Sequence, residues 1–160
     1  PKRSHRFGRH RPPPQSAPML IVVLACALLL SATTFIHYDA LRGLSRWLPV
    51  LRIASRSKLL IVLLAAFVAH ALEIGVYGAA LFFLIGTLGI GGLAGTLGFS
   101  FLHCLYFSAE TYTSLGCGDL VPVGPVRLLA GTETHNGLLL IDWSASYTYL
   151  AMERFWREEA

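Results

Sequence analysis

The chain has 160 residues, of which 54% are hydrophobic and only 14% are charged, and its mean hydropathy is +0.58. Soluble globular proteins carry charge on about a quarter of their residues, so this composition indicates an integral membrane protein. Each transmembrane helix needs about 20 residues, so the length suits one compact membrane module and excludes a large soluble catalytic domain. We therefore expect a protein that is not an enzyme.

The net charge of +4 is unevenly distributed along the chain. Ten of the 13 Lys and Arg residues lie in residues 1–58, whereas residues 59–152 hold one basic residue and five acidic ones. Basic residues beside apolar segments more often contact anionic lipid headgroups or fix membrane topology than bind nucleic acid. This pattern predicts membrane lipids as partners and no nucleic-acid partner.

The first third of the chain predicts three segments. Residues 1–17 combine five Lys or Arg residues with three consecutive prolines, which predicts a disordered basic arm. Residues 18–38 form an apolar run long enough to cross a hydrocarbon core of about 30 Å, which predicts an N-terminal transmembrane helix. Residues 39–58 interleave basic and apolar side chains and contain Pro49, which predicts a basic interfacial connector.

Residues 59–156 predict a second unit made of helices of unequal length. A long apolar segment over 59–88 is followed by a Gly-rich turn and by an aromatic-rich helix over 100–112 that is too short to cross a membrane. A third long helix over 125–156 begins with a proline, which suits the first turn of a helix.

Between the short helix and the last helix, the segment from Glu110 to Pro122 reads ETYTSLGCGDLVP. It resembles, without a gap, the pore signature of the potassium channel family, commonly TxTTVGYGD followed by a hydrophobic pair and a proline. The resemblance implies an all-α membrane protein with a re-entrant pore helix and an extra N-terminal transmembrane helix. Its pore domain would comprise an outer helix at 59–88, a pore helix at 100–112, a selectivity filter at 113–119 and an inner helix at 125–156.

The resemblance also implies roles for individual residues. Backbone carbonyls along the filter, with one hydroxyl at its inner end, would coordinate dehydrated potassium ions, because glycine permits the alternating dihedrals that turn carbonyls to one side. These ion-binding residues would be Thr113, Ser114, Leu115, Gly116, Cys117 and Gly118. Residues behind the filter would support it, the carboxylates by hydrogen bonding and the aromatic rings by packing: Glu110, Asp119, Tyr106 and Phe107. No cofactor other than the conducted potassium ions is expected.

Two residues depart from the usual signature. Ser114 replaces the second Thr but keeps the hydroxyl, whereas Cys117 stands where the family has Tyr or Phe and lacks the large ring. A non-selective cation channel of the same fold is therefore an alternative to a potassium-favouring one.

The last helix is unusually polar for a membrane helix. Its distance from Pro122 places three residues on the face that lines the aqueous cavity in the family: Leu139, Asp142 and Ser146. Asp142 would then concentrate cations below the filter, although a helix–helix contact is the alternative. Gly137 falls near the family's hinge glycine and is equally compatible with close helix packing.

Four further ionisable residues lie at or near membrane depth: His37, His70, Glu73 and Glu133. His70 and Glu73 are three positions apart and so share one face of a helix. A membrane metalloprotein or a proton-relay protein built on these four residues is an alternative function. Interhelical hydrogen bonding is the simpler interpretation, because two ligands do not make a metal site.

The chain has one filter segment and no internal repeat, whereas the family closes its pore with four such segments. The resemblance therefore implies a homotetramer that conducts potassium-favouring cation current passively. We expect a multi-pass protein of the cell membrane, in a bacterium the inner membrane. The outer mouth of the filter would face outside and residues 39–58 would face the cytosol, which places the N-terminal arm outside.

Overall fold

The computed structural model describes residues 16–95 and 98–159. It contains four α-helices and two short strands in the chain order α1, α2, β1, α3, β2, α4. The helices are α1 (Ser16–Trp47), α2 (Ser55–Gly86), α3 (Phe101–Tyr112) and α4 (Val126–Glu159), and the strands are β1 (Gly92–Gly95) and β2 (Leu120–Val123). Most of the basic arm predicted over residues 1–17 lies outside the described residues.

Helix α1 extends well beyond the segment expected at residues 18–38. It continues as far as Trp47 and is followed by a 3₁₀ turn over Leu48–Val50 that contains Pro49. The connector expected over residues 39–58 is therefore largely helical. Only residues 51–54 separate the 3₁₀ turn from α2.

The reason for this extension is an apolar stripe that continues past residue 38. Leu41, Leu44 and Leu48 follow one another at helical spacing and are buried, whereas the neighbouring Arg42 and Arg46 are exposed. The buried leucines pack against Val62 of α2 and Phe155 of α4. Tertiary packing thus stabilises α1 through a segment that was expected to form a separate interfacial connector.

Two helices of the described chain are long and apolar enough to cross a membrane, over Ala17–Val50 and Ser55–Gly86. Helix α4 has 34 residues and at 1.5 Å per residue is about 50 Å long, but it is much less apolar on average than α1 or α2. Part of its polar content is buried against other helices of the same chain, at Glu133, Asn136 and Ser144.

The Gly-rich segment after α2 forms a strand, which the sequence had not predicted. Strand β1 pairs antiparallel with β2, so that Gly92 lies opposite Val123 and Gly95 opposite Leu120. A Cβ at Gly95 would collide with the carbonyl oxygen of Asp119. The glycine therefore lets the strands approach closely, and the pairing anchors the chain just after the predicted filter to the segment after α2.

All four helices contribute to one apolar core, which fixes the short helix α3 between its longer neighbours. Gly78 allows the backbone of Leu105 in α3 to approach α2 closely, since a Cβ at Gly78 would lie 3.0 Å from the Leu105 Cα. The core side chains include Val22, Cys26 and Leu29 from α1, Tyr77, Leu81 and Leu84 from α2, Cys104, Phe107 and Tyr112 from α3, and Leu129 from α4.

Candidate functional site

Helix α3 is capped at its start, and it ends immediately before the predicted filter. At its start, the Ser100 side chain accepts a hydrogen bond of 3.2 Å from the His103 backbone N–H, which caps the first turn. At its end, the Leu115 N–H donates to the Glu110 carbonyl over 2.9 Å. The negative end of the helix dipole therefore lies at the beginning of the segment 113–119, where it favours a cation.

The backbone of this segment alternates in dihedral sign. The φ angles of Ser114, Gly116 and Gly118 are +59°, +57° and +81°, and the residues between them have no positive φ. In a regular strand successive carbonyls point in opposite directions, whereas alternation of dihedral sign turns them toward the same side. A row of carbonyls on one side is the arrangement that replaces the hydration shell of a cation.

The same segment lies open on the surface of the single chain. All six residues from Thr113 to Gly118 are exposed, and the apolar side chain of Leu115 is 70% exposed. The backbone is thus available to contact an ion or another chain. The Thr113 hydroxyl donates to the Ala109 carbonyl over 2.7 Å, which ties the first filter residue to α3.

The Glu110 carboxylate connects this segment to α3 from behind. Glu110 is buried, and its Oε1 accepts a hydrogen bond of 3.2 Å from the Cys117 backbone N–H. The side chains of Tyr106, Cys117 and Asp119 lie close to it. The Glu110 carboxylate therefore holds the middle of the segment against the helix.

The two aromatic residues expected to support the filter occupy different environments. Phe107 is buried in the core of the chain. Tyr106 is 38% exposed and lies close to Glu110 and Cys117. Only Tyr106 therefore lies directly against the predicted filter in the single chain.

Helix α4 presents the predicted cavity residues on its exposed face. Leu139, Asp142 and Ser146 are all exposed, and the Ser146 hydroxyl donates to the Asp142 carbonyl over 2.9 Å. His135 lies on the same stripe, four residues before Leu139. In the single chain Asp142 is therefore not at a contact between helices.

Gly137 lies where α4 crosses the end of α3. A Cβ at this position would collide with the carbonyl oxygen of Tyr112 and lie 3.0 Å from the Tyr112 ring. Helix α4 continues unbroken through Gly137, from Val126 to Glu159. Close packing is thus a sufficient reason for this glycine, and a hinge role stays a prediction.

Three of the four ionisable residues named from the sequence converge inside the helix bundle. The Nδ1 atom of His37 lies 2.9 Å from Oε1 of Glu73, and Nδ1 of His70 lies 3.1 Å from Oε2 of the same carboxylate. Glu133 does not join them. Its Oε1 contacts the Ser108 hydroxyl of α3 instead, and its buried Oε2 has no partner among the described residues.

Two residues that sequence reasoning had not assigned complete this cluster. The Tyr112 hydroxyl donates to Glu73 and lies 2.9 Å from Nδ1 of His70, while the Ser144 hydroxyl lies 3.1 Å from Nε2 of His37. The cluster therefore connects all four helices, and Tyr112 immediately precedes the predicted filter.

A second buried polar contact joins α1, α2 and α4. The Asn136 amide donates to the Thr33 hydroxyl over 2.7 Å and to the Tyr77 hydroxyl over 3.2 Å. The signal for these residues was present in the sequence, because Thr33 and His37 are one turn apart in the apolar helix α1, and Glu133 and Asn136 are one turn apart in α4. What the sequence did not provide was their partners.

Comparison with known proteins agrees with this architecture. No curated protein and no solved structure matches the chain. A family model described as an ion channel matches residues 58–154, the part that contains most of α2, all of α3, the segment 113–119 and most of α4. The mainly helical membrane fold and the resemblance drawn from the pore signature are thereby confirmed, and the chain belongs to this ion channel family.

Proposed function

We propose that the chain forms a homotetrameric channel that conducts cations passively and favours potassium. The observation that carries this proposal is the alternation of dihedral sign at Ser114, Gly116 and Gly118 in an exposed segment. Membership of the ion channel family supports passive ion conduction. The ion-binding carbonyls would be those of residues 113–118, in keeping with the pore signature.

The tetramer is proposed because one chain supplies only part of a pore. It has one filter segment, open on one side, and one polar stripe on α4 that includes Leu139 and Asp142. An ion stripped of water needs oxygen ligands on all sides, so the carbonyls of one chain are insufficient. Four copies around an axis would surround the ion and enclose the exposed face of α4.

Asp142 would then lie in the aqueous cavity below the filter. Four carboxylates around one axis would focus a negative potential and raise the local cation concentration. Charged residues at membrane depth rarely face lipid, which agrees with a water-filled cavity at this exposed position. The protein would function in the cell membrane, in a bacterium the inner membrane.

A non-selective cation channel of the same fold is a second candidate, and Cys117 favours it. The thiol interacts with Glu110 and Tyr106 on the pore-helix side, where a larger ring would fill more space. Fewer packing contacts would let the filter carbonyls adapt to a smaller ion.

Reconstitution of the full chain in liposomes tests the proposal. A potassium gradient should drive flux that barium blocks, and a sodium gradient should drive less. Replacing the filter glycine, Gly116→Ala, should abolish the flux, because in each of four chains a side chain at φ +57° would add a strain of about 1–2 kcal/mol to the strain that Ser114 already carries.

The matched control is Gly75→Ala in α2. A Cβ at either glycine meets no atom within 4 Å, and only Gly116 has a positive φ. The control should therefore conduct like the unmodified protein. Equal flux of potassium and sodium would support the non-selective channel, whereas flux retained by Gly116→Ala would contradict the filter assignment.

A further inference from the structure

The three residues His37, His70 and Glu73 form a potential metal-binding cluster inside the bundle. One potential ligand atom from each residue, a ring nitrogen of either histidine and a carboxylate oxygen of Glu73, lies within 4.8 Å of the other two. The side chains of His37 and Glu73 are fully buried, and that of His70 is 18% exposed. The donors come from two helices, because His37 belongs to α1 and the other two lie one turn apart on α2.

The charge of this cluster favours a bound cation. The Glu73 carboxylate is fully buried, and an unbalanced charge in an apolar interior is costly. Its hydrogen-bond and ion-pair partners among the described residues are His37, His70 and Tyr112. A metal ion that replaced the hydrogen-bonding protons on the two Nδ1 nitrogens would supply the missing positive charge.

The type of donor selects the class of metal. Imidazole nitrogen suits zinc and similar transition metals, whereas magnesium and calcium prefer ligand sets made only of oxygen. Two histidines and one glutamate are an established donor set for zinc, which leaves a fourth position for another ligand. The Tyr112 hydroxyl, which contacts both His70 and Glu73, lies where it could occupy or border that position.

A further contact would orient one of the ligands. Histidines that bind a metal through one ring nitrogen usually donate a hydrogen bond through the other. The Nε2 atom of His37 lies 3.1 Å from the Ser144 hydroxyl, which is able to accept such a bond. Metal binding at Nδ1 of His37 is thus compatible with the tautomer that this contact would stabilise.

We propose that His37, His70 and Glu73 bind one divalent transition-metal ion of the zinc type per chain and so fasten α1 to the pore-forming helices. This site would stand within a channel and does not replace the channel function. Binding is measured without any ion flux, so failure of this proposal and failure of the proposed conduction are distinguishable.

The test uses the full chain in detergent, stripped with a chelator and then titrated with zinc chloride. Calorimetry and elemental analysis should give one zinc per chain, and zinc should raise the thermal unfolding midpoint. His37→Gln and His70→Gln should each lower the affinity at least about tenfold, and Ser144→Ala about 10- to 100-fold, as expected for the loss of a contact that orients a ligand. The control His103→Gln should bind zinc like the unmodified protein, because His103 lies outside the cluster.

Two results of the titration would overturn the proposal. Absence of zinc binding at micromolar concentration is one. The other is one zinc per four chains that is lost in His135→Gln and kept in His37→Gln, which would place the metal on the exposed face of α4. X-ray absorption of the unmodified zinc-loaded protein should show imidazole nitrogen and oxygen ligands, and a cysteine sulfur ligand would contradict the site even if a variant fails to fold.

Discussion

Three residues of the segment 113–119 have positive φ angles, and two of them are glycines while the third is a serine. Gly116 and Gly118 adopt them without steric cost, whereas Ser114 adopts φ +59° with a side chain, at a cost of about 1–2 kcal/mol. The Ser114 N–H donates to the Thr111 carbonyl over 3.1 Å, which helps to hold this conformation. The surrounding structure therefore imposes the left-handed backbone conformation at this position.

Asp142→Asn tests the cavity charge. Removing the carboxylate should reduce block by internal magnesium and lower conductance, because four negative charges would no longer attract cations. Single-channel recording with internal magnesium measures both effects. Asp39→Asn, which removes an exposed carboxylate from α1, should change neither. Unaltered block and conductance in Asp142→Asn would place this residue away from the conduction path.

Cys117→Tyr tests how firmly the filter is packed. The larger ring should raise potassium-over-sodium selectivity if it packs beside Tyr106, because it would limit movement of the carbonyls. Overpacking, which typically costs about 1–3 kcal/mol, is the competing effect and would reduce conduction. The reversal potential of the variant is compared with that of a Cys117→Ser control. A functional Tyr variant no more selective than the control would argue against a loosely packed filter.

At the scale of helices, contact between α4 and α3 depends on Gly137. Gly137→Ala should lower the free energy of unfolding by about 1–3 kcal/mol, because its Cβ would collide with the Tyr112 carbonyl. Thermal or chemical unfolding in detergent measures the change. Gly131→Ala, six residues earlier on the same helix, meets open space and should stabilise the helix by about 0.5–1 kcal/mol. Equal effects of the two substitutions would show that the close contact at Gly137 is absent.

The sequence was most informative where local patterns determine the structure. The signature around Gly116 and Gly118 predicted the alternating dihedrals, and apolar length predicted α1 and α2. The polar residues of α4 did not reveal their partners, because the rotation of one helix against another depends on packing along its whole length. For the same reason, the alternative that grouped Glu133 with His37, His70 and Glu73 did not anticipate that Glu133 lies beside Ser108.

Strands β1 and β2 were missed for a different reason. Glycine is disfavoured in strands, so the Gly-rich segment after α2 read as a turn. The pairing forms there because glycines 91 and 95 allow the two backbones to approach each other closely. The extension of α1 to Trp47 was likewise missed, because its basic residues obscured a continuous stripe of buried leucines.

At the scale of the whole molecule, a closed axial pore would require four chains. Native mass spectrometry in detergent should show a tetramer, because one chain supplies one exposed filter segment. Chemical cross-linking in membranes provides an independent measure of the stoichiometry. A monomer or dimer that is the only conducting form would be incompatible with an axial pore.

The central claim is that residues 113–118 form a pore that favours potassium, and the reversal potential of the unmodified protein tests it most directly. With potassium on one side of a planar bilayer and sodium at equal concentration on the other, we expect a reversal potential displaced toward the potassium equilibrium potential. We also expect Gly116→Ala to abolish the current and Gly75→Ala to preserve it. A reversal potential near zero, or a current that persists unchanged in Gly116→Ala, would contradict a potassium-favouring pore at residues 113–118.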